Sequence, residues 1–185
     1  MTHPEITPLT ATPETLAQLT TLLIETVAAG GSVSFMHPLP PHDAETFWTT
    51  SLAAAAEGRR ILLGAWHGPV LAATVTLLLD LPPNQPHRAE IAKLMTRPAY
   101  RGRGLATALM HAAHAAAHAH ARTLLVLDTA TEDGAAPLYE RLGYTLTGEI
   151  PDFALKPHGG LTGTLIYFKR LPPRPPDPPR SHPHP

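Results

Sequence analysis

Apolar residues change spacing along this chain, and the changes mark its elements. Ile6 to Leu9 predicts a short strand. Thr12 then offers a capping hydroxyl and Pro13 the first helical position, so a helix is predicted over 13–28, stopped by Gly30 and Gly31. Ser32-Val33-Ser34-Phe35-Met36-His37-Pro38-Leu39 keeps no regular period and reads as an apolar loop. Pro41-His42-Asp43 opens a second helix to about Glu57. Arg60 to Trp66 and Val70 to Leu79 are β-rich runs around His67-Gly68-Pro69, a hairpin signal, and should pair antiparallel. After a proline-rich loop at 82–87, Arg88 to Thr96 is a strand feeding a glycine turn and a helix from Gly104 to about Ala121. The unbroken run Leu124-Leu125-Val126-Leu127 marks a buried strand over 122–128. A short helix over 134–142 ends at Gly143, and 144–149 and 164–169 supply the last strands.

Composition narrows the picture. With 185 residues and 43% apolar content the chain suits one domain, expected over 1–171. Residues 172–185, crowded with proline, lack the apolar side chains to offset ordering entropy and are expected to be a disordered tail. The net charge of −1 gives no field to draw nucleic acid or an anionic membrane, which leaves small molecules as the expected partners. No run approaches a membrane span, and the first residues lack a signal-peptide pattern, so a cytoplasmic location is expected. Zero cysteines exclude disulfides and any acyl-cysteine intermediate.

The most informative stretch is Leu94-Met95-Thr96, then Arg101-Gly102-Arg103-Gly104-Leu105-Ala106-Thr107. It reads as strand, tight turn, helix start. Gly102 and Gly104 permit positive φ, the N–H groups opening the helix are unpaired, and the two arginines add charge, so the expected guest is a phosphate or pyrophosphate. No Gly-Lys-Ser/Thr follows, which excludes a P-loop, and the third glycine of a dinucleotide fingerprint is misplaced.

The spacing Arg101-x-x-Gly104-x-Ala106, together with Leu138-Tyr139-Glu140-Arg141-Leu142-Gly143-Tyr144, resembles the GCN5-related N-acetyltransferase (GNAT) superfamily. The element order read above is also that superfamily's order. The resemblance implies an α/β fold: a mixed, mostly antiparallel sheet with a central parallel pair splayed apart and helices on both faces. It implies acetyl-CoA as cosubstrate, its pyrophosphate on residues 101–107 and its pantetheine bonded to the backbone near Leu94 and Thr96. A strand N–H at Thr96 or Met95 would then polarise the thioester carbonyl.

Transfer to an amine also needs a neutral nucleophile and a proton for the departing thiolate. Holding a side-chain-type amine neutral at pH 7 costs roughly 4.6 kcal/mol, an α-amino group only about 1.4 kcal/mol, so a base matters most for the former. The resemblance makes Tyr139 the general acid; its plainer reading is an aromatic packed on the last helix. Asp128 ends a strand on the face of Leu124 and Val126, at the mouth of the gap, where it can accept the amine proton or bind the ammonium. Glu90 is the rival base, used through water in some superfamily members, and otherwise a partner for Arg88 or Lys93. His111, His114 and His118 share a helix face, but no carboxylate accompanies them, so a solvated face is expected and no metal. His87 and His158 fall in loops on the expected acceptor side.

Within the superfamily, segments 32–39, 83–90 and 150–154 resemble the tabtoxin-resistance acetyltransferases. That implies an amino-acid-like toxin or antibiotic as acceptor, with Phe35 and Phe153 walling its pocket and Asp152 or Arg88 reading its charged ends. Lys156-Pro157-His158-Gly159-Gly160 departs from the Pro-Asp-Gly turn of those enzymes. Two other functions remain open at this point: acetylation of protein termini or lysines, and a non-catalytic acyl-CoA-binding regulatory module.

Overall fold

A computed structural model describes residues 4–132 and 134–172, so the tail expected at 172–185 lies, but for its first residue, outside the described residues. Elements follow in the order β1 (Glu5–Pro8), α1 (Pro13–Ala28), α2 (Pro41–Ala56), β2 (Arg60–His67), β3 (Val70–Leu78), β4 (Arg88–Thr96), a 3-10 turn (Pro98–Tyr100), α3 (Leu105–Ala119), β5 (Leu124–Ala130), α4 (Ala136–Arg141), β6 (Thr145–Leu155) and β7 (Leu161–Arg170). The expected order holds. Thr12 caps α1, its hydroxyl accepting from the Thr15 N–H at 3.1 Å, with Pro13 in the first turn.

The strands form one sheet in the order β1-β2-β3-β4-β5-β7-β6, antiparallel at every step except β4 with β5. Helices α1 and α2 cover one face; α3 and α4 cover the other. Two clusters of buried apolar side chains result, one holding Leu109, Met110 and Leu125, the other Leu19, Leu22 and Trp48.

Strand β4 changes sides between them. Thr76 faces Ala92 and Thr74 faces Met95, so Lys93 and Leu94 together oppose Val75, and Lys93 takes φ +51°. This is a β-bulge. Before it, Ala89 and Ile91 pack with the α3 side; after it, Leu94 joins that side and Met95 enters the α1–α2 cluster. Simple strand alternation would put Glu90, Ala92 and Leu94 on one face; the extra residue shifts the phase by one and turns Leu94 to the other.

Strand β6 is longer than predicted and bulges too. Ile150 pairs with Thr164 but Ala154 with Thr162, which throws Pro151, Asp152 and Phe153 out of register. Among the described residues no helix is long and apolar enough to cross a membrane.

Candidate functional site

The parallel pair holds for only three partners: Arg88 with Leu124, Ala89 with Leu125, Glu90 with Val126. Beyond Glu90 the strands separate, and the backbone edge of β4 facing the gap has no strand partner. A cavity of about 1000 Å³ fills the opening. Leu94, Met95, Thr96, Arg101, Gly102, Gly104, Leu105, Ala106 and Thr107 all line it, as do Tyr139 and Asp128.

The glycine turn has the geometry of an anion cradle. Gly102 and Gly104 sit at φ +74° and +77°, with nothing within 4 Å of where a Cβ would stand. The first helical bond of α3 runs from the Ala108 N–H to the Gly104 carbonyl at 3.0 Å, so the N–H groups of Leu105, Ala106 and Thr107 precede any helical acceptor. Arg101 extends along the turn, its Nε donating to Thr96 O at 3.4 Å. Arg103 does not line the cavity; it lies over the Tyr100 ring at 5.1 Å and donates to Ala99 O.

Tyr139 is buried on α4, its ring edge against Tyr144 and tilted beside Tyr167, each at 5.9 Å between centroids. Asp128 stands on the opposite sheet face from the buried Leu125 and Leu127, exposed at the mouth of the gap, and accepts a bond from Thr164 Oγ1 at 3.2 Å. Glu90 is not brought to the cavity. It precedes the splay and pairs with the Arg88 guanidinium at 3.2 Å.

That pairing commits Arg88, whose Nε donates to Gln85 Oε1 at 2.7 Å, and Arg88 does not line the cavity. Asp152 is exposed in the β6 bulge and does not line the cavity, whereas its neighbour Phe153 does. Phe35 packs edge-on to Phe47 at 5.2 Å and is not among the residues lining the cavity. His87 lies at the far end of β4, away from the splay, in a smaller depression beside Leu171. His158 stacks on His37 and bonds Ala28 O at 3.1 Å. His114 departs from the solvated face expected of it: half-buried, it meets the Tyr144 hydroxyl at 3.0 Å, and burial pulls its pKa down to about 4.

Sequence reasoning passed over Lys93 as a site residue. It lines the cavity from the β4 bulge, donates to Ser34 Oγ at 3.0 Å, and lies 5.9 Å and 5.6 Å from the ring centroids of Phe35 and Phe47. Burial lowers its pKa, and the charge of Asp128 opposes that shift. Its position depends on the bulge, which no glycine or proline in the strand announces.

A family model described as the acetyltransferase (GNAT) family matches residues 28–144, more than half of the chain. Solved structures with the same architecture include a ribosomal-protein-alanine N-acetyltransferase from Brucella melitensis, 18% identical, TM-score 0.77, covering 90% of this chain and 99% of that one. A GCN5-related N-acetyltransferase from Kribbella flavida is 20% identical with TM-score 0.73, covering 90% and 98%. A Salmonella typhimurium protein solved with its cofactor acetyl-CoA is 16% identical with TM-score 0.72, covering 96% and 99%.

Proposed function

The chain belongs to the GNAT acetyltransferase family, and on that premise we propose that it moves acetyl directly from acetyl-CoA to a primary amine of a small molecule, with amino-acid-like toxins or antibiotics as the first class to try. Acetyl-CoA is the cosubstrate of this family and supplies an acetyl thioester. The cradle at 101–107 suits its diphosphate: the glycines leave room for close approach, and three N–H groups with Arg101 supply donors.

Their positions around the gap support the following roles for the chain's own groups. The unpaired edge of β4 at Leu94 and Thr96 offers backbone bonds to an extended arm. An N–H of Met95 or Thr96 polarises the carbonyl oxygen. On the outer face, an Asp128 carboxylate oxygen binds the ammonium and takes one proton from it, and the nitrogen then attacks the carbonyl carbon with the lone pair so freed; as the C–S bond breaks, the second nitrogen proton passes to water. From the α4 side, the Tyr139 hydroxyl delivers a proton to the departing sulfur. The two proton-handling groups thus stand on opposite faces of the sheet, reached through one opening. That arrangement is the observation that carries the reading. Without a cysteine in the chain, no acyl-thioester with a protein thiol can intervene.

The test is release of free CoA thiol from acetyl-CoA with a panel of amines, amino acids, aminoglycosides and an N-terminal-alanine peptide. Turnover with small amines and not the peptide is expected. Turnover with the peptide alone would transfer the reaction to protein termini, and calorimetry showing no affinity for CoA or acetyl-CoA would overturn the reading altogether.

A further inference from the structure

We infer that Lys93 reads an acid on the acceptor, so that the molecule acetylated is an amine that also carries a carboxylate or comparable anionic group a few bonds away. The inference rests on the acetyltransferase reading above and names the substrate class of that same site. Three observations carry it.

Lys93 and Asp128 stand on the same face of the sheet, on either side of the splay. Lys93 lies among Ser34, Phe35 and Phe47 on the α1–α2 side, and Asp128 points away from the Leu125 and Leu127 side chains that pack with α3 and α4. On that face Lys93 and Asp128 thus set a cation and an anion across the gap; Glu132, which also lines the cavity, is paired with Lys156 at 2.9 Å. Of the other basic side chains lining the cavity, Arg101 belongs to the glycine turn and Arg141 to α4.

The contacts of Lys93 are those of an ammonium with capacity left over. One N–H goes to the Ser34 hydroxyl and the two phenyl rings face the charge, leaving two donors for a further acceptor. A fixed cation here repels a simple monoamine or polyamine, itself cationic in water. It attracts a zwitterion whose acid end meets Lys93 while its ammonium meets Asp128.

The residues first expected to read charge are committed elsewhere or stand outside. Arg88 is held by Glu90 and Gln85, and Asp152 does not line the cavity. Lys93 has the place that Arg88 does not.

The experiment compares free α-amino acids with their carboxamides, matched pair by pair, as acceptors for the full-length protein. The expected result is a kcat/KM ratio of acid to amide of at least tenfold for the preferred side chain. Lys93→Met should collapse that ratio to near one and Lys93→Arg should retain most of it. A merely structural lysine would lower both members of a pair alike and leave the ratio standing, which overturns the inference, as does an amide equal to its acid in the wild type. Should no amine turn over, the reaction reading fails by itself. The acid preference is then decided by calorimetry of N-acetyl amino acids against N-acetyl amino amides on the CoA-loaded protein. A tenfold preference lost in Lys93→Met upholds it, and equal affinities refute it.

Discussion

Arg97 Nη1 donates to Glu25 Oε1 at 3.0 Å, tying the strand that leaves the β4 bulge to the last turn of α1. The same guanidinium donates to Leu71 O at 2.9 Å and to Gln18 Oε1 at 3.0 Å, and its side chain is only 13% exposed. Replacing it strands several acceptors at once. Arg97→Met is expected to cost about 2–3 kcal/mol of stability, read from urea unfolding. A loss under about 0.5 kcal/mol would mean that water replaces the guanidinium at little cost.

Tyr139→Phe keeps the ring and its contacts with Tyr144 and Tyr167 while removing the hydroxyl. The expected outcome is a fall in kcat of about a hundredfold or more with acetyl-CoA affinity unchanged, measured by thiol release and calorimetry. Equal turnover would remove the tyrosine from the acid role.

Asp128 lines the gap, and Glu90 is paired with Arg88 below it. Asp128→Asn should therefore depress kcat/KM for the acceptor by at least tenfold, and Glu90→Gln by far less. The reverse ranking would make the glutamate the base through water.

Gly104 holds φ +77° with open space around its missing Cβ, so Gly104→Ala meets strain and no clash. A left-handed alanine costs about 1–2 kcal/mol. Relaxation of that strain turns the first N–H groups of α3 away from the cradle. The expected result is a roughly tenfold weaker CoA, seen by calorimetry, with the affinity for a pantetheine fragment lacking the diphosphate unaffected.

His114 carries a pH dependence. Burial chiefly, then Lys169 and His111 nearby, lower its pKa from 6.5 to about 4 in the folded protein. The unfolded chain thus binds the proton first as pH falls. The penalty is absent above about 6.5, grows from there down to about 4, and levels off below. His114→Gln, which can still bond the Tyr144 hydroxyl, should flatten this part of the Tm-against-pH curve and match the wild-type slope above pH 7. Parallel curves across the window would place the histidine in water.

Much of this architecture was legible in the residues. Helix α1 and strand β4 have their predicted bounds because their signals are local: a capping threonine with proline for one, flanking loop and glycine turn for the other. The parallel pair and its parting were expected from the resemblance, and the cradle from two glycines. What escaped depends on partners distant in sequence. The bulge shows itself only in how β4 pairs with β3, which Ala92-Lys93-Leu94 does not itself express. Lys93 enters the cavity wall as a consequence, while Arg88 and Glu90, ahead of the bulge, pair with each other as one of the two readings of Glu90 had it. His114 turned inward because Tyr144, thirty positions on, offered its hydroxyl.

The doubled position opposite Val75 also separates what strand β4 needs for folding from what it offers to a substrate. Deleting Lys93 would leave an ordinary pleat, with Ala92 and Met95 still opposite Thr76 and Thr74 and Leu94 still turned toward α3, yet the acceptor face would lose its cation. The sheet would not register the loss; the pocket would.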